Sequence, residues 1–244
     1  MEFKSTILCI FEGEVREPKY FKTIQKHYFN DTSILLCSYG NDIYELFKDI
    51  EGDPELDIIE ILRDSKGVSK NKDLLTGYSS DDFNQVFLFF DLEYQDEQFN
   101  INNLSRMISA FNEETENGKL FVSYPMIEAI RDISSFESYI DHKVNLENCS
   151  GKIYKKLSAK GLKQYQDPRK ITKNEWDKLI EINVLKANFI INNNREDVLS
   201  QPEQDVILSE QSKLIQYSRC LYVLSSFPLF VFHQKSSQLD FCKQ

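Results

Sequence analysis

Two apolar runs, each of strand length and each ending abruptly in acid, constrain this chain most. The first is Ile7 to Phe21, ILCIFEGEVREPKYF; the second is Val86 to Glu93, VFLFFDLE. Five or six apolar residues that stop at carboxylates predict a strand buried on both faces, with its C-terminal tip exposed. In open α/β sheets, ligands bind beyond the carboxyl ends of the strands. Glu12, Glu14 and Glu17 from one tip are therefore expected to face Asp91 and Glu93 from the other. Two carboxylates about 4 Å apart repel by about 4 kcal/mol at an effective dielectric of about 20. A proton on one of them, or a cation between them, removes that cost. Hard oxygen donors around a cleft suit Mg²⁺, Mn²⁺ or Ca²⁺ rather than zinc. Either tip alone reads as a solvated loop entrance, whereas the two together read as a metal site.

The rest of the chain supplies an α/β frame for those tips. Ser5 to Phe11 predicts a strand, Pro18 to about Phe29 a helix, and Ser33 to Ser38 a second strand. Ile43, Leu46, Phe47 and Ile50 share a helical face until Gly52-Asp53-Pro54 breaks it, and Leu56 to Arg63 resumes the period. Asp64 to Asn84 is polar and reads as a long loop, in which Lys66, Lys70 and Lys72 either meet phosphate or are simply solvated. Gln85 to Phe90 is the central strand, followed by an acidic loop with Asp96 and Glu97. Ile101 to Phe111 reads as a helix closed by Asn117-Gly118, and Lys119 to Ser123 as a strand. A helix begun at Pro125 would carry Glu128 about one turn in, as a dipole-favoured acid or as a ligand. Glu17 has the same two readings, cap or ligand. The alternation βαβαβαβα is that of a mostly parallel sheet covered by helices. Right-handed crossovers would bring every acidic tip to one edge.

Beyond Ile133 the alternation stops and no further strand is expected. Phe136 to His142 reads as a helix or docking segment, Asn174 to Asn192 as a strong amphipathic helix, and Ser209 to Leu224 as another, capped by Ser209. A polar connection spans residues 193–202. Ser226 to Phe232 is very apolar and packs either on the core or on a partner. Net charge is −10, yet residues 152–178 hold nine Lys and Arg against three acids, a local surplus of six that leaves −16 on the remainder. Lys155, Lys156, Lys160, Lys163, Arg169 and Lys170 interleave there with Tyr154 and Tyr165. Backbone-tracking nucleic-acid surfaces mix cations and stacking aromatics in this way; the alternative is a solvated helical surface. The five cysteines have no zinc-ligand spacing and predict no disulfide, and the three histidines form no motif. No apolar run reaches the roughly 18 residues of a membrane span, and the first strand begins without a signal-peptide pattern, so a soluble cytoplasmic protein is expected.

The stretch Glu-Gly-Glu-x-x-Glu-Pro-x-Tyr-Phe (Glu12 to Phe21), followed by Phe-Phe-Asp-Leu-Glu (Phe89 to Glu93), resembles the Toprim superfamily. The flanking detail is similar to its RloB-like branch, related to OLD-family nucleases. Ser123-x-Pro-x-x-Glu128 also resembles that pattern. The resemblance covers roughly residues 5–133. It implies a Toprim-like, mostly parallel four-stranded sheet and catalytic domain over 1–133, with a mainly helical C-terminal region over 134–244. It implies Mg²⁺ or Mn²⁺ held by Glu12, Asp91 and Glu93, with Glu17, Glu128 and Ser123 completing a second metal position. Glu12 would alternatively act as general acid/base. Arg16 or Lys19 would neutralise the transferred phosphate. Here Asp-Leu-Glu replaces Asp-x-Asp, which keeps the charge and moves the ligand by about 1.5 Å.

The activity the resemblance implies is metal-dependent hydrolysis of DNA or RNA, tRNA included, by the toxic effector of an antiphage, abortive-infection system with an ABC-type ATPase partner. Homo-oligomerisation is a further possibility. Two other readings stay open: a primase-type nucleotidyl transferase, and a non-catalytic regulatory or scaffold subunit of such a complex. Primases usually carry a zinc-binding or basic N-terminal module, and these residues show the pattern of neither.

Overall fold

The computed structural model describes residues 6–52, 57–65, 68–194 and 199–242. Ser5, Asp53, Pro54, Leu56, Lys66 and part of the 193–202 connection lie outside the described residues. Strand β1 (Thr6–Phe11) leads to α1 (Arg16–Tyr28), β2 (Ser33–Ser38), α2 (Ile43–Gly52) and α3 (Ile58–Asp64). Next come α4 (Lys70–Leu74), β3 (Gln85–Asp91), α5 (Ile101–Ala110), β4 (Asn112–Glu113) and β5 (Gly118–Ser123). The sheet order is β2-β1-β3-β5-β4, with β2, β1, β3 and β5 parallel and β4 antiparallel to β5. The four expected strands are thus joined by a fifth, two-residue edge strand. Asn117-Gly118 belongs to the β4–β5 turn instead of ending a helix. Gly118 has φ 112°, and a Cβ there would fall 2.8 Å from Leu88 Cδ1, so the turn needs glycine.

The sheet is flanked by helices. On one face Phe11, Phe87, Phe89 and Phe121 meet Phe21 of α1 and two rings from much later in the chain, Phe227 and Phe230. Both belong to α10 (Ser226–Lys235), so the apolar Ser226–Phe232 run packs on the core. The 64–84 stretch is not a bare loop. It holds α4 and a 3-10 turn at Ser80–Asp82, and Asn71 of α4 is fully buried. The Asn71 side chain donates to Ser38 O (2.6 Å) and Leu62 O (3.2 Å), which ties the stretch to edge strand β2.

The C-terminal region is helical, with a small two-stranded ribbon. Its elements are α6 (Phe136–Tyr139), β6 (Lys143–Asn145), α7 (Gly151–Ser158), α8 (Lys173–Asn192), α9 (Gln204–Ser218) and β7 (Cys220–Tyr222), which precedes α10. Strands β6 and β7 pair antiparallel, which corrects the expectation of no further strand. Helix α9 starts before Ser209 and stops at Arg219, whose φ of 49° turns the chain into β7. The expected helix to Leu224 is therefore a helix, a left-handed turn and a strand. Helix α8 agrees with its expected span, and a capping box of Thr172 and Glu175 starts it. Among the described residues no helix is long and apolar enough to cross a membrane.

Candidate metal centre

Strand register sets the site. Phe11 pairs with Phe89 across β1 and β3, and the Glu12 N–H donates to Phe89 O (3.1 Å). Glu12 therefore leaves β1 level with the end of β3, and its Oε2 accepts the Asp91 N–H at 2.9 Å. Asp91 is the last residue of β3 and is buried. Glu93, two residues on, has φ 46°. Glu12, Asp91 and Glu93 each offer an oxygen, and these lie within 4.8 Å of one another. Burial of Glu12, then Glu93, Glu17 and Asp42, push its carboxyl up to about 8 against the opposing Asp91 hydrogen bond. Asp91 is pushed well above the usual carboxylate range by burial and then by Glu12, Glu17 and Glu93. Burial raises Glu93 as well.

These acids line a cleft of about 520 Å³, walled by the β1–α1 loop, the tip of β3, the Met126–Glu128 segment and α7. Glu17, in the first turn of α1, and Glu128 both line it and are both buried. Glu128 does not sit in an α-helix begun at Pro125. The Leu92 N–H bonds Ser123 O (3.0 Å) and Pro125 O (3.2 Å), Met126 stays extended, and a 3-10 turn, Ile127–Arg131, begins only afterwards. Glu128 Oε1 forms an ion pair with Arg16 and lies 4.0 Å from Lys155 Nζ, while its Oε2 has no hydrogen-bond partner. Burial raises Glu17, and Arg16 and Lys155 oppose the rise.

Other expected residues lie elsewhere. Ser123 is fully buried and its hydroxyl is 2.8 Å from that of Ser226, so it does not line the cleft. Glu14 is at the rim, paired with Lys70 at 3.1 Å. Lys19 is exposed and outside the lining, and Asp96 caps a turn by accepting the Gln98 N–H (2.7 Å). In the basic segment, Lys155 reaches the cleft. Lys156, Lys160, Lys163, Arg169 and Lys170 are exposed, and Asp167 holds Arg169 in a two-pronged contact. The interleaved aromatics correct the stacking expectation. Tyr154 and Tyr165 are fully buried, and the Tyr154 hydroxyl donates to Asp132 (2.9 Å). Tyr154 faces inward because α7 packs on the 3-10 turn.

Sequence reasoning missed Arg131. It is buried, its Nε donates to Ser158 Oγ (3.1 Å) and its Nη2 to Lys155 O (2.9 Å), so it anchors α7 beside the acids. Nothing in its local sequence marks it. Gly161 tightens the same join: a Cβ there would fall 2.1 Å from Arg131 O, and the next N–H, of Leu162, donates to Ile133 O at 2.8 Å.

The donor set fits a hard divalent cation. It is all oxygen, it clusters at one tip, and among the described residues neither Glu12 nor Asp91 forms an ion pair like that of Arg16 with Glu128. Glu128, in the same cleft, stands outside this set: its Oε1 is ion-paired with Arg16, and its buried Oε2 has no hydrogen-bond partner. No protein-family model, curated protein or solved structure matches this chain.

Proposed function

We propose that this chain is a divalent-metal-dependent nuclease of the Toprim superfamily, in its RloB-like, OLD-related branch, hydrolysing phosphodiester bonds of DNA or RNA. The observation that carries this reading is the meeting of Glu12, Asp91 and Glu93 at the carboxyl edge of parallel strands, with Lys155 of the basic segment in the same cleft. Four parallel strands bearing acids at two tips agree with a Toprim-like sheet. Glu12, Asp91 and Glu93 would hold Mg²⁺ or Mn²⁺. Such an ion, when bound, polarises a phosphoryl oxygen and makes a nucleophilic water more acidic. The chain's own groups do the positioning. Arg16 and Lys155 face the place where phosphate charge would lie, and the exposed lysines of α7 and beyond extend that positive surface. Burial and its acidic neighbours push the Glu12 carboxyl up to about 8, in range for general acid/base work near neutral pH. An antiphage effector role beside an ABC-type ATPase follows from the resemblance alone.

The test is incubation of purified protein with plasmid DNA and with total tRNA, in Mn²⁺ or EDTA, beside Glu12→Ala. Cutting of either substrate that needs Mn²⁺ and vanishes in the variant is expected. Nucleotide incorporation on a template would replace the reading with a primase-type one. No cutting and no heat of Mn²⁺ binding would leave a scaffold subunit.

A further inference from the structure

The cleft has two electrostatically different halves. In one, Glu12, Asp91 and Glu93 present three carboxylates with their oxygens within 4.8 Å. In the other, Glu17 and Glu128 meet cations of the chain. Arg16 is ion-paired with Glu128, and Lys155 Nζ lies 4.0 Å from the same oxygen. Arg131 stands behind them, fixed by Ser158 Oγ and Lys155 O. Two cations, Arg16 and Lys155, therefore face two carboxylates on that side. A dication added there would have to displace Arg16 from Glu128, an acid only 1% exposed, and then sit beside two like charges. A dication in the first half meets three clustered carboxylates, none of them in an ion pair among the described residues, although Arg16 acts on Asp91 and Lys155 on Glu93 from across the cleft.

We infer that Arg16 and Lys155 occupy the place of a second metal ion, so that the cleft takes one divalent cation and presents two side-chain cations to the phosphate. This rests on the proposed metal-dependent reading and makes it specific. Glu128 is then a positioning residue that holds Arg16, not a metal ligand. Arg16 and Lys155 are half-exposed at the mouth, where a phosphodiester would enter, whereas Glu128 lies beneath them.

The test uses the full chain and Mn²⁺ alone, read by calorimetry and by the Mn²⁺ electron spin resonance spectrum. Wild type is expected to bind one Mn²⁺ with the six-line spectrum of an isolated ion, and Glu12→Ala to lose it. Glu128→Gln is expected to keep a stoichiometry of one with affinity within about threefold. Arg16→Gln with Lys155→Met is expected to take two ions, with the spectrum broadened by the neighbouring spin. Two ions in wild type, or more than tenfold weaker binding in Glu128→Gln, would overturn the inference and leave the nuclease reading standing. So would a double variant that is folded by circular dichroism and still binds one. No Mn²⁺ in wild type would overturn both.

Discussion

Glu12 is held by one favourable contact and strained by its neighbours. The Asp91 N–H favours its charged form, while burial and three nearby acids favour the proton. The balance raises the folded-state value from 4.5 to about 8. Between those two pH values the folded chain binds a proton that the unfolded chain has released. Stability from this group is therefore full below about pH 4.5 and is lost as pH rises through 8; Asp91, raised in the same direction, adds to the trend. In EDTA, urea unfolding is expected to show a loss of roughly 2 to 4 kcal/mol from pH 5 to pH 8, below the full shift because the carboxyl reaches solvent. Glu12→Gln should flatten that slope, and Mn²⁺ should restore stability at pH 8. A slope unchanged in the variant would show that Glu12 is not the group responsible. Glu93 shows how one residue absorbs a change of motif. Its carboxylate is one methylene longer than an aspartate's, and its left-handed backbone sits where the chain leaves β3, within ligand distance of Glu12 and Asp91.

At each edge of the parallel sheet a side-chain amide bonds a backbone group. On the β2 side, Asn71 bonds the Ser38 carbonyl at 2.6 Å. On the β5 side, β4 covers only the first residues, and the Val122 N–H donates to Gln204 Oε1 at 3.2 Å. Tyr124 and Leu224 then exchange backbone bonds at 2.8 and 2.9 Å. An open edge would invite pairing with another chain. Gln204→Ala leaves the Val122 N–H buried without an acceptor, and a loss of about 1 to 3 kcal/mol is expected. Chemical denaturation measures the loss, and faster hydrogen exchange at Val122 should accompany it. Unchanged exchange there would mean that water or a backbone shift replaces the amide.

Residues after the strand–helix alternation complete the core of the sheet. Phe227 and Phe230 of α10 are fully buried against Phe11, Phe89 and Phe87. Each buried phenylalanine contributes about 1.5 to 3 kcal/mol through area removed from water. A fragment ending at residue 133 would expose that face. It is expected to bind a hydrophobic dye and to lack the near-ultraviolet dichroism of packed aromatics, and a cooperatively unfolding fragment would refute this. The charge distribution also belongs to this scale. The basic segment, on a chain of net charge −10, borders the acidic cleft through α7; on the proposed nuclease reading, binding of a polyanion should weaken steeply with salt.

The amino-acid sequence by itself determined the four parallel strands and the acids that end two of them; the structure showed those acids to meet. A doubly buried parallel strand is a continuous apolar run, and its end is marked by the first carboxylate, so Glu12, Asp91 and Glu93 were legible from local pattern. The long amphipathic helix α8 was legible for the same reason. Three-residue strands such as β6 and β7 carry too little period to read, and the left-handed turn at Arg219 has no glycine to announce it. Only the tertiary structure decided that Tyr154 and Tyr165 are core, that Ser123 serves Ser226, and that Arg16 faces Glu128 across 112 residues of chain. Those outcomes depend on which surfaces pack together, and a contact between distant segments leaves no mark on the neighbours of either residue.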